Sequence, residues 1–379
     1  MNSQNMKNTL HWISILFFLS LGACAQDHVK EDDVPVTKNK EYNFELVVPD
    51  IATPWGMDFM PDGSFLITEK SGKLIHFREG EKTEIKGIPE VYNRGQGGLL
   101  DVRLSPNYKQ DSVIYLTYSS PQGDEKGGHT ALMTAKLDDG QLVDKKVLYK
   151  AVPNTTKGQH WGSRIVFDGE GHVFFTIGER GARAVNPQDI TRDGGKVYRL
   201  NLDGSIPKDN PFIDEPDAKK AIWSYGHRNP QGMEINPTTG EIWTHEHGPR
   251  GGDKINIIKK GANYGWPIIT YGINYGGTEI TKDRTKPGME QPLYYWLPSI
   301  APSGMAFVTG DKYPELKDVL FVGSLKFQYL EACHLKDRKV VKREKLLDGI
   351  GRVRDVNRAP DGTIYVSVEG KGIGKLVKS

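Results

Sequence analysis

Cysteine is nearly missing from this chain: Cys24 and Cys333 are the only two in 379 residues. A disulfide framework is therefore excluded as the support of the fold. Long apolar runs are missing too. Trp12 to Leu21 is about ten residues, too short to span a bilayer and the right length for a signal-peptide core, and no second stretch of that kind follows. Net charge is small, +2 and spread along the chain, which argues against nucleic acid as a partner. No segment sustains a helical period of apolar residues. Turn chemistry is plentiful instead, with 43 Gly and 22 Pro in a chain long enough to bury a large core without staples.

The N-terminus reads as an export signal. Lys7 gives a positive start, and the apolar run ends in Leu21-Gly22-Ala23-Cys24. That string resembles a bacterial lipobox, which implies a signal peptide over 1–23 and an acylated Cys24 as the mature N-terminus. Ala25 to Lys40 is polar and aperiodic, so 24–43 is expected to be a flexible tether and 44–379 one large domain. The expected location is the periplasmic face of the outer membrane or the cell surface, with the membrane reached through lipid on Cys24; Ala25, rather than Asp, favours the outer membrane. With Cys24 spent, Cys333 has no internal partner. Nothing around it forms a Cys–His arrangement, and it is expected in the core.

One pattern recurs six times: a short apolar–polar alternation, a turn, then a run of β-formers. The copies begin at Met57, Val102, Ile165, Met233, Met305 and Val356, spaced 45, 63, 68, 72 and 51 residues apart. Pro-Asp-Gly and its relatives supply the turn positions of a tight hairpin. The runs that follow (SFLIT, VIYLTYS, HVFFTI, EIWTH, VLFVG, TIYVSV) are β-branched and aromatic. A hairpin cannot bury its own face, so six of them must pack on one another. The expectation is an all-β, six-bladed β-propeller of four-stranded antiparallel blades, in preference to a sandwich or barrel.

Chemistry in such a fold belongs in the loops at one end of the axis. Arg94-Gly95-Gln96-Gly97-Gly98 could bring backbone and the Gln96 amide to a flat ligand, though a plain loop has the same composition. His160, in Gly158-Gln159-His160-Trp161-Gly162, stands at a strand entrance where an imidazole can serve as general base or simply as structure. Tyr225 to Gly232 carries His227, Arg228, Asn229 and Gln231, and His245-Glu246-His247-Gly248-Pro249 follows. In a strand, His245 and His247 would share one face and Glu246 the other. The Gly248-Pro249 carbonyls are hard oxygen donors of the kind calcium prefers. Lys326 closes Gly323-Ser324-Leu325-Lys326. Arg352 and Arg354, at i and i+2, face the same way and suit a polycarboxylate, or equally a solvated basic face on which only Asp355 is an adjacent acid.

These residues resemble one family closely: the soluble pyrroloquinoline quinone (PQQ)-dependent glucose/sorbosone dehydrogenases, especially their aldose sugar dehydrogenase branch. The resemblance runs from about residue 45 to the C-terminus through GQGGLLDVRLSP, HWGSRIVFDGEGHVFFTIGERG, SYGHRNPQGMEINPTTGEIW, EHGPRGGDKIN, NYGWPIITYGINYGG, APSGMAF, FVGSLK and GRVRDVNRAPDGTIYV. It implies oxidation of an aldose at the anomeric carbon to a lactone, with His160 as base, hydride passing to PQQ, and an external electron acceptor. Arg228 and Asn229 match contacts to the quinone oxygens, with Arg228 also stabilising developing charge. Gln96 and His247 match cofactor positions, while Lys326, Arg352 and Arg354 match the groups that hold its carboxylates. Gly248 and Pro249 match carbonyl ligands of a Ca2+. His247 stands where the glucose-oxidising branch tends to have Gln, and Glu179 where an Asp is more usual.

Two other readings compete. A metal-dependent lactone hydrolase would need carboxylates converging on an axial metal, for which Glu246 and Asp253 are the best candidates. A non-enzymatic surface propeller that binds carbohydrate or protein would have no use for both the base and the cations.

Overall fold

The computed structural model describes residues 34–379. The expected signal peptide, the lipobox with Cys24 and most of the expected tether lie outside the described residues.

Six sheets surround one axis. Blade one is Pro54–Phe59, Phe65–Glu69, Lys73–Arg78 and Glu81–Ile85; blade two is Leu99–Leu104, Val113–Ser120, His129–Asp138 and Gln141–Lys150. Blade three is Ile165–Phe167, His172–Ile177, Lys196–Asn201 and Ile222–Tyr225, and blade four Pro230–Ile235, Ile242–Glu246, Asp253–Ile257 and Tyr294–Trp296. Pro302–Phe307, Val319–Ser324, Tyr329–Lys336 and Lys339–Leu346 make blade five; Val353–Arg358, Ile364–Val368 and Gly372–Lys378 begin blade six. The fold is the expected propeller of antiparallel four-stranded blades, with helix limited, among the described residues, to Tyr108–Asp111 and one 3-10 turn.

The N-terminal boundary differs from the expectation. Tyr42–Pro49 is the outermost strand of blade six, pairing antiparallel with Gly372–Lys378, so the two ends of the domain close the ring. Val36–Lys38, inside the stretch expected as tether, adds a fifth strand to blade five, parallel to Lys339–Leu346. Backbone pairing, together with burial of Val34 against blades four and five, orders a segment whose composition alone reads as linker.

The six repeats seen in the sequence are the hairpins of the two inner strands of each blade. Those strands lie between neighbouring blades and are covered on both faces. Phe65–Glu69 is buried throughout, whereas the outer strand Gln141–Lys150 is largely exposed. The cores accordingly lie between blades: Leu66 and Leu74 of blade one meet Val102 and Leu116 of blade two, and Trp243 of blade four meets Phe307 of blade five. Cys333 is buried in the second of these, as expected.

Arg164 fills the axis. Its guanidinium pairs with Asp101 of blade two at 3.1 Å and Asp355 of blade six at 2.9 Å. It also donates to the carbonyls of Gln231 (2.8 Å) and Trp55 (3.3 Å), and its side chain is 1% exposed. One cation thus ties the inner strands of blades one, two, four and six to blade three. The buried charge is tolerable because its donors are met by carboxylates and carbonyls.

Candidate active site

His160 sits in the loop that enters blade three, at the end of the axis we call the mouth. Its backbone is left-handed, φ 59°, and its N–H donates to Gln96 Oε1 at 2.8 Å. Gln96 comes from the blade-two entry loop, and its own N–H donates to Gly158 O at 2.7 Å. Gly95, at φ 62°, has no room for a side chain because a Cβ would meet the Gly158 backbone. The glycine-rich loop therefore packs on the histidine loop, and the Gln96 carbonyl oxygen is committed to His160.

His160 Nδ1 makes a short hydrogen bond to Glu179 Oε1, which follows the second strand of blade three. The Glu179 side chain is 2% exposed and that of His160 is 13% exposed. Glu179 Oε2 is buried without a partner. Burial and the charge of Arg228 hold the imidazole pKa below its ordinary value, against the pull of Glu179. A carboxylate accepting from Nδ1 fixes the tautomer and leaves the Nε2 lone pair free. In the sequence Glu179 stands out only as a departure from the family pattern; in the structure it is the partner that orients His160.

Arg228 joins this group from the blade-four entry. Its N–H donates to Glu246 Oε2 at 2.6 Å, and its carbonyl accepts from Glu179 N at 2.8 Å. The guanidinium donates through Nη1 to His247 O at 3.1 Å and lies 5.5 Å from the Trp266 ring. Its Nε is buried with no partner. Asn229 Oδ1 accepts from Gly162 N at 3.0 Å, so its carbonyl oxygen supports the histidine loop.

His245 and His247 do lie apart from Glu246. His245 Nε2 meets Gly304 O and His247 Nε2 meets Gln231 Oε1, each at 3.1 Å. Glu246 turns to the other side, toward His227, Lys254 and Asn256. Gln231 Oε1 also accepts from Arg354 Nη1 at 3.3 Å, which links blade four to blade six. Gly248 N donates to Asp253 Oδ1 at 2.7 Å, and Pro249 O accepts from Ser299 Oγ at 3.3 Å.

The basic pair departs from the expected picture in one respect. Asp355 does not neighbour Arg352 and Arg354 functionally, because it serves Arg164 on the axis. Glu369, from the next hairpin, holds both arginines: Arg352 Nε donates to Oε2 at 2.6 Å and Arg354 Nε to Oε1 at 2.9 Å. Arg352 Nη1 also reaches Leu325 O at 3.2 Å, beside Lys326, whose Nζ lies 4.8 Å from the Phe327 ring. A chain of contacts thus runs from Gln96 through His160, Glu179, Arg228, His247, Gln231, Arg354 and Glu369 to Arg352, which reaches the Leu325 carbonyl next to Lys326. Sequence spacing could not reveal Gln231 or Glu369 in that chain. One signal was there for the acids: Glu69, Glu179, Glu246 and Glu369 all stand at the mouth end of a blade's second strand.

A cavity of about 190 Å³ opens against His160, Arg228 and Trp266. Arg183, Asn274 and Tyr275 form its outer wall. Carboxylates on the axis face Arg164, so Asp101 and Asp355 are taken by a guanidinium. Glu246 and Asp253, the hydrolase candidates, are bonded to protein groups away from the axis.

The comparisons agree with this geometry. The Glucose / Sorbosone dehydrogenase family model matches residues 51–378. The chain is 43% identical over 344 residues to "Aldose sugar dehydrogenase YliI" of Escherichia coli (strain K12), across 89% of this chain and 92% of that protein. The crystal structure of the Escherichia coli soluble aldose sugar dehydrogenase in its apo form superposes with a TM-score of 0.86 at 41% identity, covering 89% of this chain and all of that one (100%). The PQQ-bound aldose sugar dehydrogenase of Streptomyces coelicolor gives 0.72 at 26% identity over 90% of this chain and 99% of that one. The chain belongs to the Glucose / Sorbosone dehydrogenase family of oxidoreductases.

Proposed function

We propose that the protein oxidises aldose sugars at the anomeric carbon to lactones, with PQQ as its cofactor, Ca2+ beside it, and an external acceptor taking the electrons onward. The observation that carries this reading is the His160 imidazole, oriented by Glu179 and facing a sugar-sized cavity that Arg228 also lines.

The residues present fit both groups. Arg228 Nε is a buried donor without a partner, as a site for a quinone oxygen requires. Lys326, Arg352 and Arg354 would hold the cofactor carboxylates, with Gln96, Asn229 and His247 as further contacts. The Gly248 and Pro249 carbonyls would ligate the calcium. A Cβ at 248 would run into the Gly252 backbone, so the turn needs glycine to present them. When bound, PQQ would supply a hydride acceptor and calcium a Lewis acid.

The protein's part follows from its own atoms. His160 Nε2 takes the proton of the anomeric hydroxyl while Glu179 stabilises the imidazolium that forms. The Arg228 guanidinium, fixed by the His247 carbonyl, offers positive charge where negative charge develops. Trp266 and Pro249 wall the cavity and limit water.

Reconstitution of the purified chain with Ca2+ and PQQ, followed by dye reduction with a panel of aldoses, tests the reading. Quinone-dependent reduction is expected; lactone hydrolysis without quinone, or no turnover in either assay, would overturn it. We further propose export and lipid anchoring through Cys24, on the strength of the lipobox-like string; metabolic labelling with a radiolabelled fatty acid, lost in Cys24→Ser, is the corresponding check.

A further inference from the structure

The outer wall of the cavity carries a feature that the reaction itself does not require. Arg183, in the long loop of blade three, donates through Nη1 to Asn274 Oδ1 at 2.7 Å. Asn274 belongs to the excursion of blade four between Asp253–Ile257 and Tyr294–Trp296. Its amide nitrogen is spent on Thr278 Oγ1 (3.0 Å) and Glu279 O (3.2 Å), and its backbone N–H on Thr278 O (2.9 Å). The turn is thus locked by its own hydrogen bonds. It fixes Arg183 on one side and holds out Tyr275 on the other.

Tyr275 is oddly placed unless something meets it, and Arg183 stands exposed beside it. Tyr275 is 74% exposed, the most exposed large apolar side chain among the described residues. Arg183 has no carboxylate partner among the described residues, unlike Arg352 and Arg354, which Glu369 holds. Of the titratable groups that line the cavity, Arg183 and Arg228 are cations, His160 is held neutral, and the carboxylate of Glu179 is engaged by His160. Lys157 adds a further cation next to Gly181. With Arg228 assigned to the quinone, the positive charge left at the outer wall comes from Arg183 and Lys157. A guanidinium with most of its fork unused matches a carboxylate or phosphate, and a bare phenol ring offers a face for the C–H surface of a pyranose.

We propose that Arg183 and Tyr275 form a specificity subsite for aldoses that bear an anionic group remote from the anomeric carbon, such as hexuronic acids. The inference rests on the reading of this cavity as the sugar site. A volume of about 190 Å³ suits one ring, small beside the roughly 300–1,000 Å³ of drug-sized sites.

The test compares kcat/KM of the Ca2+- and PQQ-loaded chain for glucuronate and for glucose 6-phosphate against glucose, at low and high salt. At low salt the anionic sugars should be favoured roughly fivefold, about what one partly exposed charge pair can give. Added salt should shrink that ratio, and R183A should bring it close to one while R183K retains part of it. Preference for glucuronate alone assigns a carboxylate, and for both anions a general anion subsite. A ratio at or below one in the parent chain, or a ratio that R183A leaves unchanged, overturns the proposal. If no sugar is oxidised at all, the dehydrogenase reading fails by itself. Calorimetric titration of the same chain with glucuronate then decides the subsite: binding weakened by R183A supports it, and binding that is missing or indifferent to R183A rejects it.

Discussion

Two histidine–glutamate pairs sit one blade apart in this propeller, His160 with Glu179 and His227 with Glu246, each nineteen residues apart in sequence. Both use Nδ1 toward a carboxylate, and burial lowers both imidazole pKa values. Their free nitrogens meet different worlds. His160 Nε2 faces the cavity. His227 is fully buried, stacks on Tyr264 with centroids 4.4 Å apart, and has Nε2 bonded to Ser224 Oγ at 2.9 Å. Glu246 has further work, since it accepts from Arg228 N and Asn256 and faces Lys254 at 3.3 Å. The same pair is a candidate base in one blade and a brace for Arg228 in the next. Residue type alone does not make a base; an unspent lone pair aimed at a cavity does.

Substitutions separate the two pairs. His160→Asn should lower kcat by roughly 10²–10⁴-fold, as loss of a positioned base does, while the variant still binds PQQ, read by absorbance titration. His227→Asn should instead lower the thermal midpoint, by about 1–3 kcal/mol of stability for the groups left unpaired, with a far smaller fall in kcat. Equal losses of rate in the two variants, both fully folded, would erase the distinction drawn above. Glu246→Gln should destabilise more, by about 3–5 kcal/mol, because Lys254 remains without its buried counter-charge. Against desolvation, Lys254, the His227 hydrogen bond and the Arg228 N–H hold the Glu246 pKa far below the usual carboxylate range. Its contribution is therefore complete above the unfolded value near pH 4.5 and is lost only as pH falls well below it. Denaturation midpoints of wild type and Glu246→Gln at neutral and acid pH should converge in strong acid.

How much of this was legible in the sequence follows from which strands are buried. The inner hairpins, covered on both faces, spell out apolar runs and tight turns that repeat six times. Outer strands such as Gln141–Lys150 face solvent and repeat nothing, and Val36–Lys38 was read as linker because pairing to an edge leaves no compositional trace. The site divides in the same way. His160, Arg228, Asn229 and the basic residues stand in glycine-rich strings that are visible as motifs. Arg164 escaped notice because its partners, Asp101 and Asp355, are 63 and 191 positions away. Glu369 escaped because its arginine partners stand on the neighbouring strand of blade six, and the role of Gln231 because it reaches from blade four to Arg354 of blade six.

Glu179 gives a smaller effect and a more discriminating one. Glu179→Gln keeps a side chain of the same shape but removes the charge that favours the imidazolium, so kcat should fall by about 10–100-fold, the usual cost of a partner that orients an imidazole. The pH profile then separates orientation from mere support. A base works when deprotonated, so activity is lost as pH falls through the imidazole pKa. Burial and Arg228 hold that pKa below the ordinary value of about 6.5, and the acid limb of kcat/KM in wild type should lie below it, with full activity at neutral pH. Glu179 is the group that raises the pKa against those two influences. Its neutralisation should therefore move the acid limb further down, so that the variant is slower at every pH yet loses a smaller fraction of its activity on acidification. A limb that stays in place, or moves upward, would mean that Glu179 does not act on the protonation of His160, and the pair in blade three would then be no more a catalytic dyad than its buried counterpart in blade four.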